Sequence, residues 1–188
     1  NYLYAWQERL GGTAHAASAG ERILPSEFKN LLVLNGDDSA FYTSKTLKIF
    51  VSQHIQNKND ISMLTCEVDD PAGMGRVVRN VHNNVVKIVE KENVAKKEEN
   101  IKEINTGTFC FYRDWFRYHY QNLEKIPGLE EVGLPSLIDE ALSSDSNLRA
   151  VKLADTTEWM GINTEEELKL ADKKMKKRLT TREKKTKK

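Results

Sequence analysis

Leu31-Leu32-Val33-Leu34-Asn35-Gly36-Asp37-Asp38-Ser39-Ala40-Phe41-Tyr42 decides the fold class. A short apolar run climbs to an Asn-Gly pair and two adjacent carboxylates. Continuous apolarity over so few residues is the pattern of a strand buried on both faces, as in a parallel sheet. An amphipathic segment follows, with Leu47, Phe50, Val51 and Ile55 at helical spacing across residues 44–56. Working outward, residues 61–68 read as a strand. Residues 76–81 and 85–90 alternate on either side of Asn83-Asn84, a hairpin turn signal. Residues 102–112 and 148–153 read as strands. Residues 15–23, 134–142 and 164–179 read as helices, the last opened by Thr164 and Glu167 at capping-box spacing. Tyr2 to Leu10 reads as the end of a helix cut by Gly11-Gly12. The alternation predicts an α/β fold with a mixed, mostly parallel sheet flanked by helices and one β-hairpin excursion. No internal repeat or Pro/Ser/Gly-rich linker divides the chain. One domain over residues 1–172 and a Lys-rich tail over 173–188 are expected.

Composition bounds the function. Of 188 residues, 30% are charged and 39% hydrophobic, which suits a soluble globular domain. No apolar run is long enough for a membrane-spanning helix. The opening residues are interrupted by polar side chains and lack a basic leader, so no secretory signal is expected. Cys66 and Cys110 lie in strand-like runs, which predicts free thiols and a reducing, cytoplasmic setting. The four histidines are far apart and no Cys/His spacing suits zinc. Ten of the 29 basic side chains fall after Ala171, with two of the 28 acidic ones, leaving 19 basic against 26 acidic in the body. An acidic body argues against nucleic-acid binding, which needs clustered Lys and Arg. The basic tail reads as a solvated helix end or a disordered end, with contact to an anionic surface as the alternative.

Several positions invite a chemical reading. In α/β sheets ligands bind beyond the carboxyl ends of strands, where Asp37 sits. A carboxylate there can hold a divalent cation, and Mg2+ takes one or two protein oxygens plus phosphates and water. The plainer reading, a turn or cap, is retained for Asp38. Asn163 offers a hard amide oxygen, or caps the final helix. Gly12-Thr13-Ala14-His15 precedes a helix of small residues and suits close approach of a ring or phosphate, or simply a tight loop. Gly73-Met74-Gly75-Arg76 is a turn that also permits close backbone approach. Glu90 ends a strand and can accept from sugar hydroxyls. Asn105-Thr106-Gly107 interrupts a β-rich run and predicts a bulge. No Ser/His/Asp or Cys/His arrangement stands out for nucleophilic catalysis.

Singly these signals are weak; their order is specific. Gln7, Gly12-Thr13-Ala14-His15-Ala16, Gly36-Asp37, Asp69-Asp70-Pro71-Ala72-Gly73-Met74-Gly75-Arg76, Ile88-Val89-Glu90-Lys91, Glu103-Ile104-Asn105-Thr106-Gly107 and Gly161-Ile162-Asn163 resemble the sugar-1-phosphate nucleotidyltransferases. Within that family they are most similar to the domains that uridylylate N-acetylglucosamine-1-phosphate, found as one half of bifunctional bacterial proteins. The resemblance implies a Rossmann-like nucleotide-diphospho-sugar transferase fold. It implies transfer of a nucleotidyl group from a nucleoside triphosphate, UTP, to a sugar-1-phosphate, with release of pyrophosphate. By the resemblance, Asp37 and Asn163 hold a catalytic Mg2+; Gln7, Gly12, Thr13 and Gly36 contact the nucleotide; Gly75, Glu90 and Asn105 contact the sugar.

Two departures accompany it. The family's first strand, its glycine-rich, Arg-containing loop and a following lysine precede the point where this sequence begins, so an upstream segment is expected. Residues 130–136 lack the family's Glu-Tyr-Tyr-x-Thr-Asp-like element. No hexapeptide repeat follows Leu179, so acetyl transfer is not expected of these residues. The alternative reading is a non-catalytic sugar-nucleotide-binding module. An oligomer is compatible with either.

Overall fold

Strand β5, Glu103–Tyr112, organises the sheet. The structure is a computed structural model and describes residues 2–124 and 131–186, with the side chains of residues 92, 124 and 181–186 left aside. One edge of β5 pairs along its length with β2, Ile61–Glu67. Its other edge is shared: β1, Asn30–Val33, takes the carboxyl-terminal half, and β3, Arg76–Arg79, meets the amino-terminal half at Arg76↔Ile104. Beyond these lie β4, Val85–Val89, beside β3, and β6, Leu148–Lys152, beside β2. Along the path the order is β4-β3-β5-β2-β6, with β1 on β5.

The α/β class is as expected, but the parallel character survives in strand direction and not in pairing. β1, β2, β3 and β6 point one way and β4 and β5 the other. Because β5 returns between β1 and β2, β2–β6 is the one parallel ladder among the described residues. The reason is the hairpin: β3 and β4 reverse the chain, which leaves β5 to come back against its neighbours.

Alternation along β2 and β5 sorts the core onto two faces. Ile61, Met63, Phe109 and Phe111 face helices α1 (Thr13–Arg22), α3 (Arg113–Glu124) and α4 (Leu134–Ser143). Leu64, Cys66, Ile104 and Cys110 face Phe50 of α2, Ser44–Gln56, and Trp159. Both cysteines are buried and free. Thr43 caps α2 by accepting from Thr46 N–H at 3.1 Å. The capping box of α5, Glu165–Thr186, forms as predicted: Glu167 N–H donates to Thr164 Oγ1 and Thr164 N–H to Glu167 Oε2. α5 runs unbroken through residue 173, the expected start of the tail. Lys176 pairs with Asp172 one turn earlier.

Two elements differ from expectation. Residues 2–10 are not helical. Tyr2, Tyr4 and Trp6 are almost fully exposed, so no apolar face is buried to offset the cost of ordering a helix. Helix α3 goes unpredicted because Trp115, Phe116, Tyr118 and Tyr120 have the composition of a strand. The hairpin turn spans residues 80–84, with Asn83 at φ 64 and the Asn80 side chain accepting from His82 and Asn84 N–H. Of the departing segment 130–136, Glu130 lies outside the described residues.

Candidate active site

Because β1 and β3 share one edge of β5 without meeting, they leave a gap opposite residues 105–108. Within it β5 bulges: Met63 faces Phe109 but Thr65 faces Asn105, so β5 carries two more residues than β2 across that interval. Gly107 has φ +71, and the Asn105 side chain accepts from Gly107 N–H at 3.1 Å. A Cβ at Gly107 would collide with Asn35 Nδ2 and lie 3.0 Å from Asp38 Oδ2. The glycine is therefore required for the turn after β1 to close onto β5. The expected bulge is present, and the backbone that approaches it is the chain's own.

Three predicted sugar residues converge at the β3 end of this gap. Asn105 N–H donates to the Gly75 carbonyl at 3.4 Å. A Cβ at Gly75 would stand 3.5 Å from Glu90 Oε2. Gly75 immediately precedes β3, Glu90 immediately follows β4 and Asn105 lies in β5, so the hairpin and its neighbour strand bring them together.

Asp37 and Gly36 lie in the exposed turn beyond β1, and a Cβ at Gly36 would meet open space. Asp38 is drawn inward. Its Oδ1 is buried without a hydrogen-bond partner. Burial first, then the Asp37 charge, push its pKa up to about 7, against a hydrogen bond from Asn35. Tyr42, four residues on, accepts from Thr108 Oγ1 at 3.0 Å. Burial pushes its phenol up to about 12, against hydrogen bonds with Thr106 and Thr108, so it stays protonated at neutral pH.

Asn163 approaches from the far end of the chain. Trp159 Nε1 donates to the Thr106 carbonyl in the bulge at 3.3 Å. A Cβ at Gly161 would touch both Trp159 and Asn163 Nδ2. Asn163 is exposed beside the Trp159 that seals the bulge, and it makes no hydrogen bond to Asp37. Among the described residues, no group of three or more His, Cys, Asp or Glu is arranged to hold a metal ion. Asp37 and Asn163 are both exposed and each offers a hard oxygen, too few for an all-protein cage, while Asp38 Oδ1 is buried. The donor type of Asp37 and Asn163 suits Mg2+, which takes one or two protein oxygens and keeps water and phosphate oxygens around it.

The remaining predicted nucleotide residues are engaged elsewhere. Gln7 Nε2 contacts the Gly12 carbonyl at 3.2 Å and His15 Nδ1 at 3.0 Å. Gly12, at φ +89, leaves no room for a Cβ against the Val132 backbone. Thr13 Oγ1 accepts from Leu134 N–H at 2.9 Å. These bonds dock the start of α1 on residues 132–134 and do not reach the Asp37 turn.

Sequence reasoning missed Asn35 and Tyr42 here and read Asp38 as a turn or cap. The Asp-Asp doublet and Gly107 were the available signals; which carboxylate turns inward follows from the bulge, which is tertiary.

Known proteins resemble this chain over most of its length. The nucleotidyl transferase family profile matches residues 1–178. The bifunctional protein GlmU of Bacillus licheniformis is 32% identical over 182 residues, covering 95% of this chain and 39% of that protein. GlmU of Geobacillus sp. (strain WCH70) is 34% identical over 176 residues, covering 94% and 38%. The chain thus spans about two fifths of the length of these relatives. In fold it is similar to a crystal structure of a putative glucose-1-phosphate thymidylyltransferase from Bacillus anthracis, with TM-score 0.69 and 20% identity over 88% of this chain and 61% of that one.

Proposed function

Since the chain belongs to the nucleotidyl transferase family, we propose that it transfers a nucleotidyl group from a nucleoside triphosphate, UTP, to a sugar-1-phosphate, N-acetylglucosamine-1-phosphate, giving a nucleotide-sugar and pyrophosphate. The observation that carries this reading is the convergence of Gly75, Glu90 and Asn105 in the same gap that receives the Asp37 turn. The proposed assignments give Gln7, Gly12, Thr13 and Gly36 to the nucleotide, Gly75, Glu90 and Asn105 to the sugar, and Asp37 and Asn163 to Mg2+.

In this reading the phosphate oxygen of the sugar attacks the α-phosphorus in line, one P–O bond forms, and the bond to pyrophosphate breaks. No covalent enzyme intermediate is needed, so catalysis is positioning and charge neutralisation. Mg2+, when bound, neutralises charge on the triphosphate. Glu90 orients the sugar through its hydroxyls, and the bulge at Gly107 holds the Asp37 turn facing it. A cytoplasmic setting is part of this reading, supported by the two free, buried thiols Cys66 and Cys110.

The test is pyrophosphate release by the full-length polypeptide across a panel of nucleoside triphosphates and sugar-1-phosphates. Turnover is expected with UTP and N-acetylglucosamine-1-phosphate. Asp37→Ala should lower it by about 100-fold or more, as loss of a metal ligand does. Near-normal turnover in that variant would remove the metal assignment.

A further inference from the structure

Glu158 ends a short 3-10 turn, Thr156–Glu158, and is 9% exposed. Its carboxylate is bound at both oxygens by one residue 115 positions away. Thr43 N–H donates to Oε2 at 2.8 Å, and Thr43 Oγ1 donates to Oε1 at 3.2 Å. Thr43 is the N-cap of α2, so the carboxylate also sits where the helix dipole favours negative charge.

The two ends of this contact adjoin the two halves of the candidate site. Toward the amino terminus from Thr43 lie Tyr42, bonded to the bulge, and then the Asp37-Asp38 turn. Toward the carboxyl terminus from Glu158 lie Trp159, also bonded to the bulge, and then Asn163. Arg178 of α5 donates to the Phe41 carbonyl and holds the same stretch from a third side. A buried carboxylate satisfied by a backbone amide and a hydroxyl is a stiff connection, because breaking either bond strands a desolvated charge.

We propose that Glu158 is a positioning residue for nucleotidyl transfer: its carboxylate, bonded twice to Thr43, fixes the turn that carries Asp37 against the segment that carries Asn163. The proposal rests on the function inferred above. If Glu158 were only a helix cap, its loss would lower stability and leave the folded site unchanged.

The experiment compares wild type, Glu158→Gln and Glu158→Ala as full-length polypeptides, at a temperature where thermal melts show each to be folded. The first readout is the half-saturating concentration of Mn2+ with UTP, followed by the Mn2+ spin-resonance signal. The second is amide exchange at Thr43. The third is kcat against KM. Glu158→Ala should weaken Mn2+ half-saturation about fivefold to tenfold, speed exchange at Thr43 about tenfold or more, and lower kcat about tenfold with KM for the sugar phosphate little changed. Glu158→Gln should fall between. A folded Glu158→Ala with wild-type Mn2+ half-saturation overturns the proposal and leaves the transfer reading standing. If wild type binds Mn2+ and UTP without turnover, the binding and exchange readouts decide alone. If wild type neither turns over nor binds them, both readings fall.

Discussion

His54 is 1% exposed, with Nδ1 2.9 Å from Ser62 Oγ and Nε2 without a hydrogen-bond partner. Burial holds its pKa below the usual imidazole range, and the Asp60 charge opposes this only in part. The unfolded chain therefore takes up this proton first. The stability linked to His54 is complete above the unfolded pKa of about 6.5 and declines as pH falls below it, until the folded pKa is passed. Between pH 7 and pH 5 the melting temperature should fall further, or rise less, in wild type than in His54→Gln, because Asp38, raised to about 7, works the opposite way in both proteins. Equal slopes in the two proteins would mean that this proton is not the cause. At this scale the sequence is informative where a residue type and its neighbours suffice, and silent where burial decides. Asp37 is readable as a carboxylate at a strand end. Asp38 carries the same side chain one position on; only its passage under Gly107 distinguishes it. Glu158 carries no local signal of its own, and its contact exists only once Thr43 is brought to it.

Between elements, one buried ion pair joins α1 to α3. Arg113 opens α3 at 5% exposure, and its Nε donates to Glu21 Oε1 at 2.5 Å. Its Nη2 donates to the Glu21 and Leu24 carbonyls, both at 3.0 Å. Arg117, one turn later, reaches the same Glu21 oxygen. Burial raises the Glu21 pKa, but hydrogen bonds from Arg117 and Arg113 outweigh it and leave the group below the usual carboxylate range. Glu21→Ala would strand the Arg113 guanidinium in the interior and should cost about 3–5 kcal/mol, read as a lower denaturant midpoint. An unchanged midpoint would show that solvent reaches Arg113. The helical spacing of Leu47, Phe50, Val51 and Ile55 made α2 legible and the Thr164–Glu167 pair made α5 legible, both local signals with local causes. α3 was not legible, because its aromatic residues favour strands until Trp115, Phe116 and Tyr120 find the face of β5 to pack on. Residues 2–10 are the reverse case, helical in composition and without a surface to cover.

For the whole molecule, the α/β class follows from periodicity and turn residues, and so does the order of the elements apart from α3 and residues 2–10. Pairing does not follow. A strand returning after a hairpin can join either edge of a sheet, and nothing local to β5 states that it enters between β1 and β2. That insertion creates the gap between β1 and β3, and with it the site. It also leaves β1 paired on one side alone among the described residues, with Phe28, Leu32 and Leu34 exposed near that edge. A row of unpaired amides and carbonyls beside bare apolar side chains is a template for any extended segment that meets it. These 188 residues, studied alone, should thus be self-adhesive: light scattering should grow with concentration, and Leu32→Lys should suppress it without shifting the melt. Equal scattering from both proteins would place the stickiness elsewhere. The same return of β5 that opens the gap between β1 and β3 thereby sets a ceiling on how densely the bare chain can be kept in solution.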